Sequence, residues 1–209
     1  MTQEKDQIEV RTFNWGPCLI NLKIRDDFKK ILLDEAAKNE QDFSHKLAGQ
    51  IRKETGYSDK SRDKIVPYLA PYLGVYDQMF QKYQAKNYEK KPEYTLTALW
   101  CNFQRQHEFN PPHDHSGIYS FVIWMQIPTS YEEQKKLPIC AESNAHGSIS
   151  NFGFHYTNSV GRVSQFFYNM EKEAEGYMIM FPSEMKHEVF PFYENDGERI
   201  SISGNIGLT

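Results

Sequence analysis

The residues best suited to chemistry are three histidines and an arginine–serine pair: His113-Asp114-His115, His187 and Arg199-Ile200-Ser201. His113 and His115 lie in Asn110-Pro-Pro-His-Asp-His-Ser-Gly, just ahead of the apolar run Ile118–Ile127. In extended backbone alternate side chains share a face, so both imidazoles point one way and Asp114 the other. Two imidazoles so placed can grip a first-row transition metal. Taken alone, the pair is equally compatible with two surface histidines beside a turn. His187 follows the Pro182-Ser183 turn and opens a new strand, a place from which a ligand can face a cavity.

The arginine–serine pair supplies a second function. Along Arg199–Ile206, Arg199, Ser201, Ser203 and Asn205 share one face, while Ile200, Ile202 and Ile206 share the other. A guanidinium fork followed by a hydroxyl on the same face suits a carboxylate. His187 and Arg199 are 12 positions apart, enough for one hairpin, so metal ligand and carboxylate clamp can occupy neighbouring strands. On Tyr94–Arg105, Trp100, Asn102 and Gln104 form a second row, from which Asn102 or Gln104 could donate to a bound acid. Tyr119 could reach the same pocket. His107, in a polar stretch, and His146 and His155, in a Gly/Ser/Asn-rich segment, read as rim or loop residues that do not ligate.

The elements that must position these groups change character along the chain. Strands are expected at Val10–Trp15 and Cys18–Ile24, then a helix from Asp26 with Phe28, Ile31, Leu32 and Glu35 at helical spacing. Phe43–Tyr57 reads as a loop or short helix. A second helix is expected over Pro71–Ala85, where Tyr72, Val75, Tyr76, Met79, Phe80 and Tyr83 make an apolar stripe. That stripe faces a core, or a second copy in a homodimer. After Pro92 the pattern turns to strands: Tyr94–Arg105, Ile118–Ile127, Gln165–Asn169, Tyr177–Phe181, Val189–Phe192 and Arg199–Ile206, with loops expected over Pro128–Ser164. The expected fold is α+β, with N-terminal helices ahead of a jelly roll or barrel-like sandwich. One domain spans residues 1–209, with 1–92 as helical support and 93–209 as the β core.

Composition agrees with a β-rich soluble protein. The 13 Tyr and 14 Phe favour pleated, half-buried surfaces. A net charge of −4 gives no electrostatic case for nucleic-acid binding, and the Lys86, Lys90, Lys91 cluster reads as a solvated linker. Cys18, Cys101 and Cys140 are widely spaced and odd in number, which points to free thiols in a reducing, cytoplasmic compartment. The N-terminus lacks a signal-peptide layout and no apolar run is long enough to span a bilayer, so no membrane role is expected.

On NPPHDHSG followed by YSFVIWMQIP, then MIMFPSEMKHEVFPF, then RISISGNI, residues 94–209 resemble the 2-oxoglutarate/Fe(II) oxygenase superfamily. The similarity is strongest to small oxygenases of marine bacteria and their phages, which would place the enzyme in a bacterial host's cytoplasm. The resemblance implies a double-stranded β-helix, a cupin-like jelly roll, with Fe(II) at its open end. It also implies 2-oxoglutarate on the iron, with its far carboxylate held by Arg199 and Ser201. Decarboxylation to succinate would be coupled to O2-dependent hydroxylation of a small molecule or a protein side chain.

One departure stands out: the superfamily pattern is H-x-D/E, and this chain has H-x-H. His115 replaces the carboxylate, or Asp114 swings inward, or His115 is the first ligand with Gly117 two positions on and a place left for water or halide. Alternation favours His113 and His115 together. Two other classes remain open at this level. A three-His cupin-type dioxygenase or zinc hydrolase would not need Arg199 and Ser201 at the metal. A non-catalytic jelly-roll or virion-associated module would need none of these groups.

Overall fold

The computed structural model describes residues 10–12, 19–38, 41–80, 93–140 and 147–208. Two antiparallel sheets face each other. The larger has eight strands in the order β1-β2-β10-β7-β12-β5-β4-β3, and the smaller has four, β6-β11-β8-β9. Their ranges are β1 Val10–Thr12, β2 Ile20–Lys23, β3 Gln41–Asp42, β4 Glu54–Gly56, β5 Tyr94–Gln104, β6 Asn110–His113, β7 Tyr119–Gln126, β8 Phe152–Thr157, β9 Val163–Tyr168, β10 Tyr177–Pro182, β11 His187–Val189 and β12 Arg199–Leu208. From β5 onward the chain passes repeatedly between the sheets, which makes the expected double-stranded β-helix.

The central strands of the large sheet are covered on both sides, and this decides which residues reach the site. On the outer face Leu99, Phe121, Ile123, Met178, Met180, Ile202 and Ile206 join one apolar cluster with the helices α1 (Asp26–Ala36) and α2 (Asp59–Phe80). On the inner face Val122, Trp124, Ile179 and Phe181 pack against Phe152 and Phe154 of the small sheet. β2 pairs with β10 and β4 with β5, so N-terminal segments extend the large sheet at both edges.

α2 differs from expectation. It begins at Asp59, well before Pro71, and contains Pro67 and Pro71. Ser61, Ile65, Leu69, Tyr72 and Tyr76 are buried at helical spacing, whereas both prolines are exposed on the opposite side. Missing amide donors therefore fall where water serves the freed carbonyls, and burial of the stripe outweighs the local penalty. Tyr72 and Tyr76 pack inward, while Met79 is exposed; Tyr83 lies outside the described residues. Glu35 of α1 is buried and accepts from Lys38, Lys64 and Ser61, which holds its carboxyl at about 2 and ties α1 to α2.

The other differences fall in segments without periodicity. Phe43–Tyr57 holds a single 3-10 turn and β4, and Pro128–Ser164 holds a short helix α3 (Tyr131–Gln134), all of β8 and the start of β9. Parts of the first two expected strands, including Cys18, lie outside the described residues, as do the Lys86–Lys91 cluster and His146. Cys101 and Cys140 are free and buried. No helix among the described residues is long and apolar enough to cross a membrane.

Candidate metal centre

His113 closes β6 and is the direct register partner of His187 on β11. Paired residues in an antiparallel ladder project to the same face, and here the ring centroids are 4.2 Å apart. His115 lies just past the strand, where its backbone N–H donates to Ser183 O at 2.9 Å. That bond turns the His115 ring to within 5.0 Å of His113 and 4.9 Å of His187. Nitrogen atoms of the three rings all lie within 4.8 Å of one another. With metal–nitrogen bonds of about 2.1 Å, ligands at right angles sit roughly 3 Å apart, a separation inside that envelope.

Tautomers follow from the surrounding carbonyls. His113 Nδ1 donates to Pro111 O at 2.7 Å, and His187 Nδ1 donates to Met185 O at 2.9 Å. Each leaves Nε2 as a lone-pair donor, the arrangement in which an outer partner orients a metal-ligating imidazole. His187 is packed among Phe152, Phe154 and Phe181, and Trp100 meets the His115 ring edge-on. Burial lowers all three histidines, most strongly His187, and brings His115 down to about 4. They are neutral at physiological pH, as metal binding requires.

Asp114 points away. Its carboxylate accepts from Lys186 Nζ at 2.8 Å, with about half of its side chain exposed. Gly117 has φ +106°, and a Cβ there would lie 2.7 Å from Ile206 O, so this position answers a close backbone approach. Neither residue joins the histidine group.

One cavity is lined by the three histidines together with Arg199, Ser201, Asn102 and Gln104. Arg199 is 2% exposed and stacks over Phe192. It donates to Gln104 Oε1 at 3.2 Å, to Ser150 O at 2.7 Å and to Ser150 Oγ at 2.8 Å, leaving Nε without a partner. Burial pushes it down to about 9, so it is still a cation at neutral pH. No carboxylate among the described residues pairs with it. Asn102 Nδ2 donates to Ser201 Oγ at 3.0 Å, which leaves the Ser201 proton free to donate elsewhere. A buried cation with a spare N–H and a neighbouring hydroxyl fits an incoming carboxylate.

Not every expected residue reaches this cavity. Tyr119 turns to the outer face, where its ring meets Tyr76 and Tyr94 in the helix-facing core. Asn205 accepts from Ser120 at the far end of the row. His155 lies against Glu188 at 2.8 Å, and His107 meets Tyr193 edge-on. Ser150, which grips Arg199 twice, gave no signal in the sequence beyond a polar turn composition. The Leu47, Ala48 and Ile51 wall of the cavity gave none either.

The sequence and the fold both have counterparts among known proteins. The family model described as "Putative 2OG-Fe(II) oxygenase" matches residues 98–205. A viral collagen prolyl hydroxylase from Paramecium Bursaria Chlorella virus-1 is similar in structure, at 11% identity, TM-score 0.51, covering 90% of this chain and 94% of that one. A Pseudomonas putida prolyl-4-hydroxylase matches at 13% identity and TM-score 0.51, over 89% and 90% of the two chains. OsALKBH1 matches at 11% identity and TM-score 0.53, over 94% and 99%. No curated protein matches the sequence. At these identities the solved structures establish the shared fold, and the family model, spanning just over half of the sequence, establishes the rest: the chain belongs to the 2OG-Fe(II) oxygenase family.

Proposed function

We propose that His113, His115 and His187 hold Fe(II), that Arg199 with Ser201 and Asn102 holds the far carboxylate of 2-oxoglutarate, and that the reaction hydroxylates a small molecule or a protein side chain. The observation that carries this reading is that one cavity is lined by both the three-histidine group and a buried guanidinium lacking an anionic partner. Iron, when bound with 2-oxoglutarate and O2, supplies the oxidising chemistry. The chain's own residues supply orientation and shelter. Pro111 and Met185 carbonyls fix the ring tautomers, and the phenylalanines around His187 keep water from its back. Arg199, itself held by Gln104 and Ser150, fixes the direction from which the co-substrate approaches. A third histidine occupies the position that a halide would need, and prolyl hydroxylases occur among the structural neighbours; both favour hydroxylation over halogenation.

The test is anaerobic addition of Fe(II) and 2-oxoglutarate, followed through the weak visible charge-transfer band of the chelate. One iron per chain and a band are expected, with succinate formed on admitting O2. His187→Ala loses the iron and Arg199→Ala loses the band. If iron binds but Arg199→Ala leaves activity intact without 2-oxoglutarate consumption, a three-His dioxygenase or zinc hydrolase replaces this reading. Absence of both iron and band leaves a jelly-roll binding module.

A further inference from the structure

Glu54 on β4 is an acid that the assignments above do not use. It is 1% exposed, and neither carboxylate oxygen has a hydrogen-bond partner. Glu54 does not itself line the cavity, and strand register sets it beside a residue that does. Glu54 is opposite Asn102, and Asn102 is opposite Ser201, so the three form one cross-strand row on the inner face. Asn102 Oδ1 and Asn110 Oδ1 are likewise buried and unpartnered. Glu54 and Asn110 converge on Gly49, where a Cβ would lie 3.4 Å from Glu54 Oε1 and 2.1 Å from Asn110 Oδ1.

All three groups offer acceptors, and nearby cations turn away from them. Arg52 reaches outward to Glu108, and Lys53 lies over the Phe103 ring. An unpaired buried acceptor is costly, and a carboxylate more so. Burial, helped by the charges of Asp42 and Glu108, pushes Glu54 up to about 7. Asn102 and Asn110 line the cavity together with the aliphatic Leu47, Ala48 and Ile51, while Glu54 lies by Gly49, just off that lining. An acidic terminus beside an apolar wall matches a long side chain with a methylene stem and a cationic head.

We propose that the primary substrate carries an alkylammonium or alkylguanidinium group, received by Glu54 with the amide oxygens of Asn102 and Asn110, its stem along Leu47, Ala48 and Ile51. The Leu47–Ile51 segment, fastened at Gln50 N–H to Phe109 O, shifts outward to admit the group. The inference rests on the oxygenase reading above.

The experiment uses wild-type and Glu54→Gln proteins loaded anaerobically with Fe(II) and 2-oxoglutarate. Probes are cadaverine, agmatine, a blocked tripeptide with a central lysine, and the neutral 1,5-pentanediol. Perturbation of the visible band reports binding. At least one cationic probe is expected to bind wild type tenfold or more tighter than the diol, and Glu54→Gln to erase that preference while keeping the band. Preference for the free amines identifies a small molecule, and for the tripeptide a protein side chain. Cationic probes binding no tighter than the diol to wild type, or equally well to Glu54→Gln, overturn the inference. The wild-type comparison decides even if the variant fails to fold. A missing band before any probe is added overturns the oxygenase site instead.

Discussion

Asp114 and Lys186 form an ion pair at 2.8 Å that joins the segment between His113 and His115 to the residue preceding His187. The family pattern would put a carboxylate at position 115; the adjacent acid, Asp114, sits on the outside of the site, and the His115 ring lies beside His113 and His187. Both partners are about half exposed, so the pair contributes at most about 1 kcal/mol.

Asp114→Asn is accordingly expected to keep one iron per chain and the 2-oxoglutarate band, with a small loss of stability that shrinks further in high salt. His115→Asp is the informative counterpart. It places a carboxylate among the histidines and is expected to retain iron. Colorimetric iron stoichiometry on Asp114→Asn and on a further variant, His115→Ala, separates the assignments: iron lost in the first and kept in the second would make Asp114 the ligand.

Arg199→Ala is expected to raise the dissociation constant for 2-oxoglutarate by about 100-fold or more, since removing one partner of a buried charged pair costs roughly 2–5 kcal/mol. Iron binding should change little, because the hydrogen bonds of Arg199 run to Gln104 and Ser150 and not to the histidines. Arg199→Lys keeps the charge but loses the fork, and should fall between the two. Anaerobic titration of the visible band measures all three proteins.

The histidines and the Arg199-x-Ser201 pair were legible because strand alternation is local. What brings them together is not. His113 opposite His187 is a long-range register that no sequence period encodes. Tyr119 was misplaced for a related reason: Tyr119–Met125 is buried throughout, so alternation separates two faces without saying which is the inner one. Ser150 and the Leu47–Ile51 wall come from irregular segments whose position depends on the finished sheets. The early start of α2 was hidden because two prolines on its wet side imitate a helix boundary.

Gly117→Ala tests how tightly His115 is positioned. Gly117 has φ +106°, its added Cβ would meet Ile206 O at 2.7 Å, and the next amide, Ile118 N–H, donates to that same oxygen. Backbone strain and collision together should cost about 2 kcal/mol or more, several degrees in Tm for a chain of this size. Iron affinity should weaken as well, because the segment that carries His115 must move. Differential scanning calorimetry on metal-free protein and an iron titration check the two effects. An unchanged Tm would mean that the segment is not pinned to β12.

The buried Glu54 predicts how stability varies with pH in the substrate-free protein. Its folded-state value, about 7, is raised above the ordinary glutamate value of 4.5, mainly by burial. Between those two values the folded chain holds a proton that the unfolded chain has released. By linkage, its contribution to stability is greatest below about pH 4.5 and falls as pH rises through 7, by up to roughly 3 kcal/mol. Glu54→Gln, which cannot ionise, should flatten this fall. Urea midpoints at pH 5, 6, 7 and 8 for both proteins give the difference directly, since the other titrating groups are shared. A wild-type profile parallel to that of Glu54→Gln would mean that Glu54 finds donors in solution. The same titration with saturating cationic ligand should flatten the slope for wild type, because a bound cation favours the ionised carboxylate, and the complex and the unfolded chain then both hold Glu54 ionised across this range.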